Sequence, residues 1–273
     1  MSDALVLVGA GRVGSVFARG AAALGATVAV AERGAPIRPA PGVPVFVCTR
    51  ADDLDGVLGV LAPRARADLC LVQNGYLDGW RRSRGLPDAI TQGTIWFAAT
   101  ARDGRADPGG TSLFHGPHAA FAVSLLRAAG VPAAEAPDAR SLSRDQALKL
   151  AWNAFYGASC AAAARAGAPA SVGSVPRDQV RALVEELLPA LELGYGVALA
   201  GPDDTTDALV AYTARIPTFV AGLREVPWRN GALLELGRRA GVAAPRHEAL
   251  LRAGGADPDE ARRAAASLVY SAP

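Results

Sequence analysis

Lys149 is the only lysine among the 28 basic residues of this 273-residue chain; the other 27 are arginines. Where arginine serves almost every need for positive charge, a retained lysine marks a position that calls for a compact ammonium. Such a group can shift its pKa and give up a proton, which a guanidinium cannot. Asn153 stands four residues further on, in KLAWN, one helical turn away on the same face. Asparagine is nearly as scarce: Asn74, Asn153 and Asn230 are the three in the chain. A second constellation lies near the N-terminus, where Gly9, Ala10, Gly11, Arg12, Val13 and Gly14 spell GAGRVG. Glycines at this spacing can form a turn whose backbone comes close to phosphate groups.

Context decides what the glycines mean. The apolar run Leu5 to Val8 leads into the motif, a helix-like segment follows, and a second apolar run spans Thr27 to Ala31. Strand, tight turn, helix and strand make the βαβ unit that binds dinucleotides. Its first glycine permits the turn and its second admits the pyrophosphate. Its third lets the helix pack close, and the phosphates meet unpaired N–H groups at the helix N-terminus. The adjacent pair Glu32–Arg33 ends the second strand. An acidic residue there suits the ribose hydroxyl of NAD and an arginine the 2′-phosphate of NADP, so spacing leaves both open. Alternation along a strand predicts that one of the two faces the nucleotide.

The elements that position these residues follow in order. Gly34 to Pro44 reads as an irregular proline-rich connection. Val45 to Cys48 and Leu69 to Val72 read as further buried strands, with a helix from Ala51 to Ala65 between them. Ligands of parallel sheets lie at the carboxyl ends of the strands, where Gly9, Arg50 and Asn74 are expected to converge. Residues 94–117 read as an antiparallel pair closing the sheet, followed by a helix from Ala119 to Ala129 and a short run to Ala136. A hinge is expected at 136–140, and strand signals stop beyond it. Ser143 and Gln146 fit a capping box opening a helix to about Ala166. Pro176 suits a first helical turn, and Pro189 is expected to kink or end its helix. Pro227 opens a helix to Gly241, and Asp257 precedes the last.

Composition excludes several classes. A net charge of +2 gives no basic field for nucleic acid or an anionic membrane. The first apolar run is too short for a signal peptide core or a membrane span, so a soluble cytoplasmic protein is expected. Cys48, Cys70 and Cys160 are widely spaced and read as core residues. The Gly-Pro insert between His115 and His118 argues for a loop, and no metal site is expected.

Taken together, GAGRVG, Arg33, Arg50 in CTRADDL, QNG at 73–75, HGP at 115–117, KLAWN at 149–153 and EVPWRNGALLELGRRAGVAAP at 225–245 resemble the ketopantoate reductase family in order and spacing. The resemblance covers nearly the whole chain. It implies an α/β fold class, with an N-terminal Rossmann-type dinucleotide-binding domain over residues 1–140. An all-helical C-terminal substrate and dimerisation domain over 141–273 follows, the active site lying in the cleft between the two. It further implies NADPH as cofactor, reduction of 2-dehydropantoate to pantoate in pantothenate biosynthesis, a small-molecule 2-oxo acid as substrate, and a homodimer. Residue by residue, the cofactor's phosphates would lie on Gly9 to Gly14, its 2′-phosphate on Arg33 with Arg50 assisting, and its nicotinamide beside Asn74. Lys149 resembles the general acid, Asn153 its neighbour on the substrate, and Glu225 the carboxylate at the substrate's hydroxyl end.

The chemistry of these residue types agrees. Hydride arriving at the carbonyl carbon of a 2-oxo acid leaves negative charge on the oxygen. Lys149 could stabilise and protonate that oxygen while Asn74 or Asn153 donates a hydrogen bond, and Glu225 within reach would keep a buried ammonium charged. Three departures from the family stand out, the first two at the substrate. Gly157 stands where the family has a second substrate asparagine. Thr213 and Thr218 are the candidates for its carboxylate-binding serine, before a segment several residues shorter. The link from Arg33 to Arg50 is short enough to lack a strand or hairpin. A relative recruited to another carbonyl or imine in specialised metabolism, and a dinucleotide-binding protein without turnover, stay open.

Overall fold

The computed structural model describes residues 3–269; residues 1, 2 and 270–273, at the outer ends of the two expected domains, lie outside the described residues. The chain forms two compact units. One comprises the chain up to Gln73 together with Gly85–Leu142, the other Asn74–Arg84 together with the chain from Ser143.

The first unit is the α/β part. In chain order it contains β1 (Ala4–Val8), α1 (Arg12–Leu24), β2 (Thr27–Ala31), β3 (Val45–Val47), α2 (Leu54–Val60) and β4 (Leu69–Leu71). After α3 (Asp78–Ser83), which belongs to the second unit, come β5 (Thr91–Thr94), β6 (Phe97–Ala98), β7 (Asp107–Pro108), β8 (Ser112–His115), α4 (Ala119–Ala128) and β9 (Ala133–Glu135). Seven strands form one sheet in the order β2-β1-β3-β4-β5-β8-β9, parallel except between β5 and β8. The phenyl rings of Phe17, Phe46, Phe114 and Phe121 pack edge or tilt against one another in its core. Gly20 lets α1 lie directly on α4, since a Cβ there would stand 1.9 Å from the Leu125 carbonyl oxygen.

The antiparallel pair expected over residues 94–117 needs correction. The antiparallel partner of β8 starts at Thr91, not Thr94, and β6 and β7 form a separate two-stranded ladder. Thr-Gln-Gly-Thr carries no apolar run, and Gly93 is required because the Phe114 ring occupies the place of a side chain. The residues from Gly34 to Pro44 contribute one isolated bridge, Ile37 to Leu61, and no strand. β2 is therefore an edge strand, with Val30 54% exposed.

Among the described residues, every helix or strand beginning after β9 is helical: α5 (Ala139–Arg165), α6 (Arg177–Tyr195), α7 (Pro202–Thr213), α8 (Ala232–Arg239), α9 (Pro245–Ala253) and α10 (Pro258–Ala265). Ser143 does not cap α5. The helix begins at Ala139, where Asp138 Oδ1 accepts the Ser141 N–H at 2.7 Å, and an earlier aspartate outcompetes the serine. α6 continues through Pro189 and ends at Gly196 in left-handed conformation. The segment after Pro227 is a π-helical turn, Pro227–Gly231, before α8. It is seated by Gly231, where a Cβ would come within 2.2 Å of the Ala261 carbonyl oxygen on α10. No described helix is long and apolar enough to cross a membrane.

Candidate active site

In the first unit the three motif glycines have three distinct environments. Gly9 leaves β1 at φ +92°, and a Cβ on it would meet Thr49 at 2.8 Å. Gly14 lies in the first turn of α1, where a Cβ would stand 2.1 Å from the Gly9 carbonyl oxygen. Gly11 caps α1 with no side-chain bond, and nothing stands within 4 Å of where its Cβ would be. Turn, open approach and close helix packing are the arrangement that a pyrophosphate on a helix N-terminus requires. Ala10 and Arg12 are exposed and Val13 is half-buried.

The strand ends line up around this turn. Register pairs Val8 with Ala31 on one side and with Val47 on the other. Gln73, beyond β4, donates from Nε2 to the carbonyls of Val47 (2.6 Å) and Thr49 (3.2 Å), fixing the backbone that Gly9 packs against. Sequence reading missed this role. Arg33 and Glu32 are both exposed and both lie beyond the last residue of β2, in a turn where Ala35 N–H donates to the Glu32 carbonyl. Strand alternation therefore does not choose between them. Arg50 is exposed and pairs with Asp52.

In the second unit α5 brings Lys149 and Asn153 to one buried face, 7% and 9% exposed. Asn153 Nδ2 donates to the Lys149 carbonyl at 2.8 Å and to Asn74 Oδ1 at 3.3 Å, so the two asparagines and the lysine come together. Asn74 arrives on a loop held by its neighbours. Gly75, at φ +126°, lies against the Trp228 backbone, and Tyr76 N–H donates to the Trp228 carbonyl at 2.8 Å. Lys149 Nζ lies 4.9 Å from the Trp152 ring centre and 4.7 Å from that of Tyr212, and donates to the Tyr212 hydroxyl at 3.4 Å. Burial, then the positive charge of Arg229, lowers the Lys149 pKa to about 7 against the opposing pull of Asp145. An ammonium that titrates near neutrality is suited to handing over a proton.

Glu225 holds a backbone φ of +47°, the one such non-glycine residue among those described, and its carboxylate accepts from Arg229 one helical turn on. The carboxylate assigned by sequence to the lysine thus has the Arg229 guanidinium as an ion-pair partner. Arg229 was not singled out, being one arginine among 27, nor was Tyr212, which a separate helix supplies. Asn230 is structural: its amide donates to the Ala154 carbonyl at 3.1 Å and faces His247 Nε2 at 3.3 Å.

The substrate departures acquire causes. A Cβ at Gly157 would lie 3.1 Å from the Gly222 carbonyl oxygen, so the shortened segment before Glu225 packs where a larger side chain would begin. Thr213 Oγ1 accepts from Trp152 Nε1 and donates to the Leu209 carbonyl, both at 2.9 Å, which occupies its hydroxyl. Thr218 is exposed. His118 Nε2 pairs with Asp68 at 3.1 Å.

No protein-family model matches the sequence. No curated protein matches it either. Solved structures do match. A PanE/ApbA family ketopantoate reductase from Ralstonia eutropha JMP134 aligns over 98% of this chain and 100% of its own, at 17% identity and a TM-score of 0.67. A 2-dehydropantoate 2-reductase from Geobacter metallireducens GS-15 aligns over 94% and 99%, at 18% identity and 0.68. D-mandelate dehydrogenase, in a ternary structure with NADH and anilino(oxo)acetate, aligns over 95% and 99%, at 15% identity and 0.66. Over nearly its whole length, the chain has the fold shared by the ketopantoate reductases and D-mandelate dehydrogenase.

Proposed function

We propose that this chain is an NADPH-dependent reductase of the ketopantoate reductase family, acting on the carbonyl of a small 2-oxo acid, with 2-dehydropantoate as the first substrate to test. The observation that carries the reading is the buried cluster of Lys149, Asn153 and Asn74, in which a lysine of lowered pKa sits beside two amides. A protein that only bound a nucleotide would have no use for a buried proton donor.

In this reading the first unit is the dinucleotide-binding domain and the second the substrate domain. The Gly9–Gly14 turn fits a dinucleotide, because space is open above Gly11 alone of the three glycines. Arg33 would take the 2′-phosphate, assisted by Arg50. The dinucleotide, when bound, supplies the hydride. Lys149 protonates the carbonyl oxygen as charge develops on it, and Asn74, oriented by the bond its Oδ1 accepts from Asn153, donates an amide hydrogen bond to the same oxygen. Glu225 holds the substrate's hydroxyl end.

A second reading, another 2-oxo acid or an imine, is favoured by Gly157 and Thr213. Side chains that would recognise pantoate-type substrates are missing at one position and engaged at the other. The deciding experiment follows loss of NADPH absorbance with 2-dehydropantoate and a panel of 2-oxo acids, beside NADH and beside Lys149→Ala. Turnover of 2-dehydropantoate that prefers NADPH and vanishes in the variant supports the first reading. Faster turnover of another acid supports the second. Turnover of none, with NADPH still bound, overturns both.

A further inference from the structure

Resting on that reading of the site as a 2-oxo acid reductase, we propose that Arg229 holds the substrate's carboxylate, in place of the hydroxyl and amide side chains missing from this chain. The backbone around Arg229 is clamped. Asn230 ties the π-helical turn to Ala154, the residue after Asn153, and Gly231 seats the turn's other side on the Ala261 carbonyl. Arg229 itself is 8% exposed. A planar guanidinium with five donors can hold more than one carboxylate, and Glu225 takes Nη2.

The alternatives on the substrate side are spent. Thr213 spends its one hydroxyl donor on the Leu209 carbonyl, and Gly157 offers no side chain and lies against the Gly222 carbonyl. The charges point the same way. The groups acting on Lys149 include Arg229, Asp145, the Tyr212 hydroxyl and the rings of Trp152 and Tyr212, and Arg229 outweighs Asp145. The positive field that Arg229 adds at a buried ammonium is complementary to an entering anion. An arriving carboxylate cancels that field and favours the protonated lysine, so an acid substrate helps to charge its own proton donor. A neutral analogue does not.

The experiment compares a 2-oxo acid with its methyl ester, using the full chain and NADPH. It uses the wild type, Arg229→Gln, Arg229→Lys and the double variant Arg229→Gln/Glu225→Gln. The double variant removes the ion pair as a unit and strands no buried charge. The expected result is a fall of roughly 100-fold in the acid-to-ester ratio of kcat/KM in both glutamine variants, carried mainly by KM, with partial recovery in Arg229→Lys. In the wild type, the alkaline limb of kcat lies at higher pH for the acid than for the ester, and that difference disappears without Arg229. A purely structural role would lower both substrates together and leave the ratio unchanged, which overturns the proposal.

Calorimetric titration of the NADPH complex with oxamate, an unreactive carboxylate, separates this proposal from the reading beneath it. Oxamate binding that depends on Arg229, without turnover of any oxo acid, keeps the carboxylate site and removes the reductase. Oxamate binding that is absent from the wild type, or unchanged in Arg229→Gln, removes the carboxylate site even where oxo acids are reduced.

Discussion

The side-chain amide of Asn230 donates to the carbonyl of Ala154 across 3.1 Å, and this bond joins the π-helical turn to α5 one residue past Asn153. Both groups are buried, so Asn230→Ala removes the second donor of a carbonyl that keeps its bond within α5. The expected cost is about 1 kcal/mol, read as a lower denaturation midpoint with an unchanged m-value. An unchanged midpoint would mean that the turn is held by packing alone.

Lys149 is costly to the fold. Its pKa of about 7 lies below the 10.5 of a solvated lysine, so the unfolded chain binds the additional proton between those values. Stability therefore rises with pH across that window, and below about pH 7 the full cost of burying the ammonium is present. Lys149→Met is expected to raise stability at pH 6–7 by a few kcal/mol while abolishing turnover. The gain should shrink towards pH 10 in parallel unfolding curves. In the wild type kcat/KM should fall above about pH 7 as the free enzyme loses its acid.

The motif glycines separate folding from binding. Gly11→Ala should lower thermal stability only by the small cost of a poorer N-cap and weaken NADPH binding, because its Cβ enters space that the protein leaves open. Gly14→Ala should lower both, since its Cβ meets the Gly9 carbonyl oxygen. Equal thermal losses in the two variants, or full NADPH affinity in Gly11→Ala, would count against a phosphate seat at this turn.

His247 gives the acid limb of stability. It is fully buried, and burial lowers its pKa from 6.5 to about 4. Asn230 Nδ2 faces Nε2, which leaves the proton on Nδ1, a buried atom without a hydrogen-bond partner. The unfolded chain binds the extra proton between pH 4 and 6.5, so stability present above pH 6.5 drains away as pH falls through that window, by about 3 kcal/mol in all. His247→Gln should flatten that part of the curve.

The nucleotide turn was legible because its glycines are constrained by backbone geometry, which is written locally. Lys149 was legible by rarity. Arg229 was hidden by the opposite circumstance, and Tyr212 by distance in sequence, since α7 begins 53 residues after Lys149. The Ser143 capping signal failed because Asp138 supplies a stronger cap earlier, and β5 escaped notice because Gly93 is dictated by a ring on another strand. Such choices are made by tertiary partners, and local periodicity carries no record of them.

The membership of Asn74–Arg84 in the second unit bears on any attempt to dissect the chain. Tyr76, Leu77 and Trp80 are buried, and the Trp80 and Trp228 rings meet edge to face at 6.1 Å. A fragment cut at the end of the sheet would carry these apolar side chains away from the helices that cover them. The complementary helical fragment would lose both Asn74 and the aromatic cover of Trp228. Each piece would expose a sticky patch. No single cut therefore separates the two units of this protein, and a working recombinant half needs residues 74–84 moved, not merely a terminus chosen.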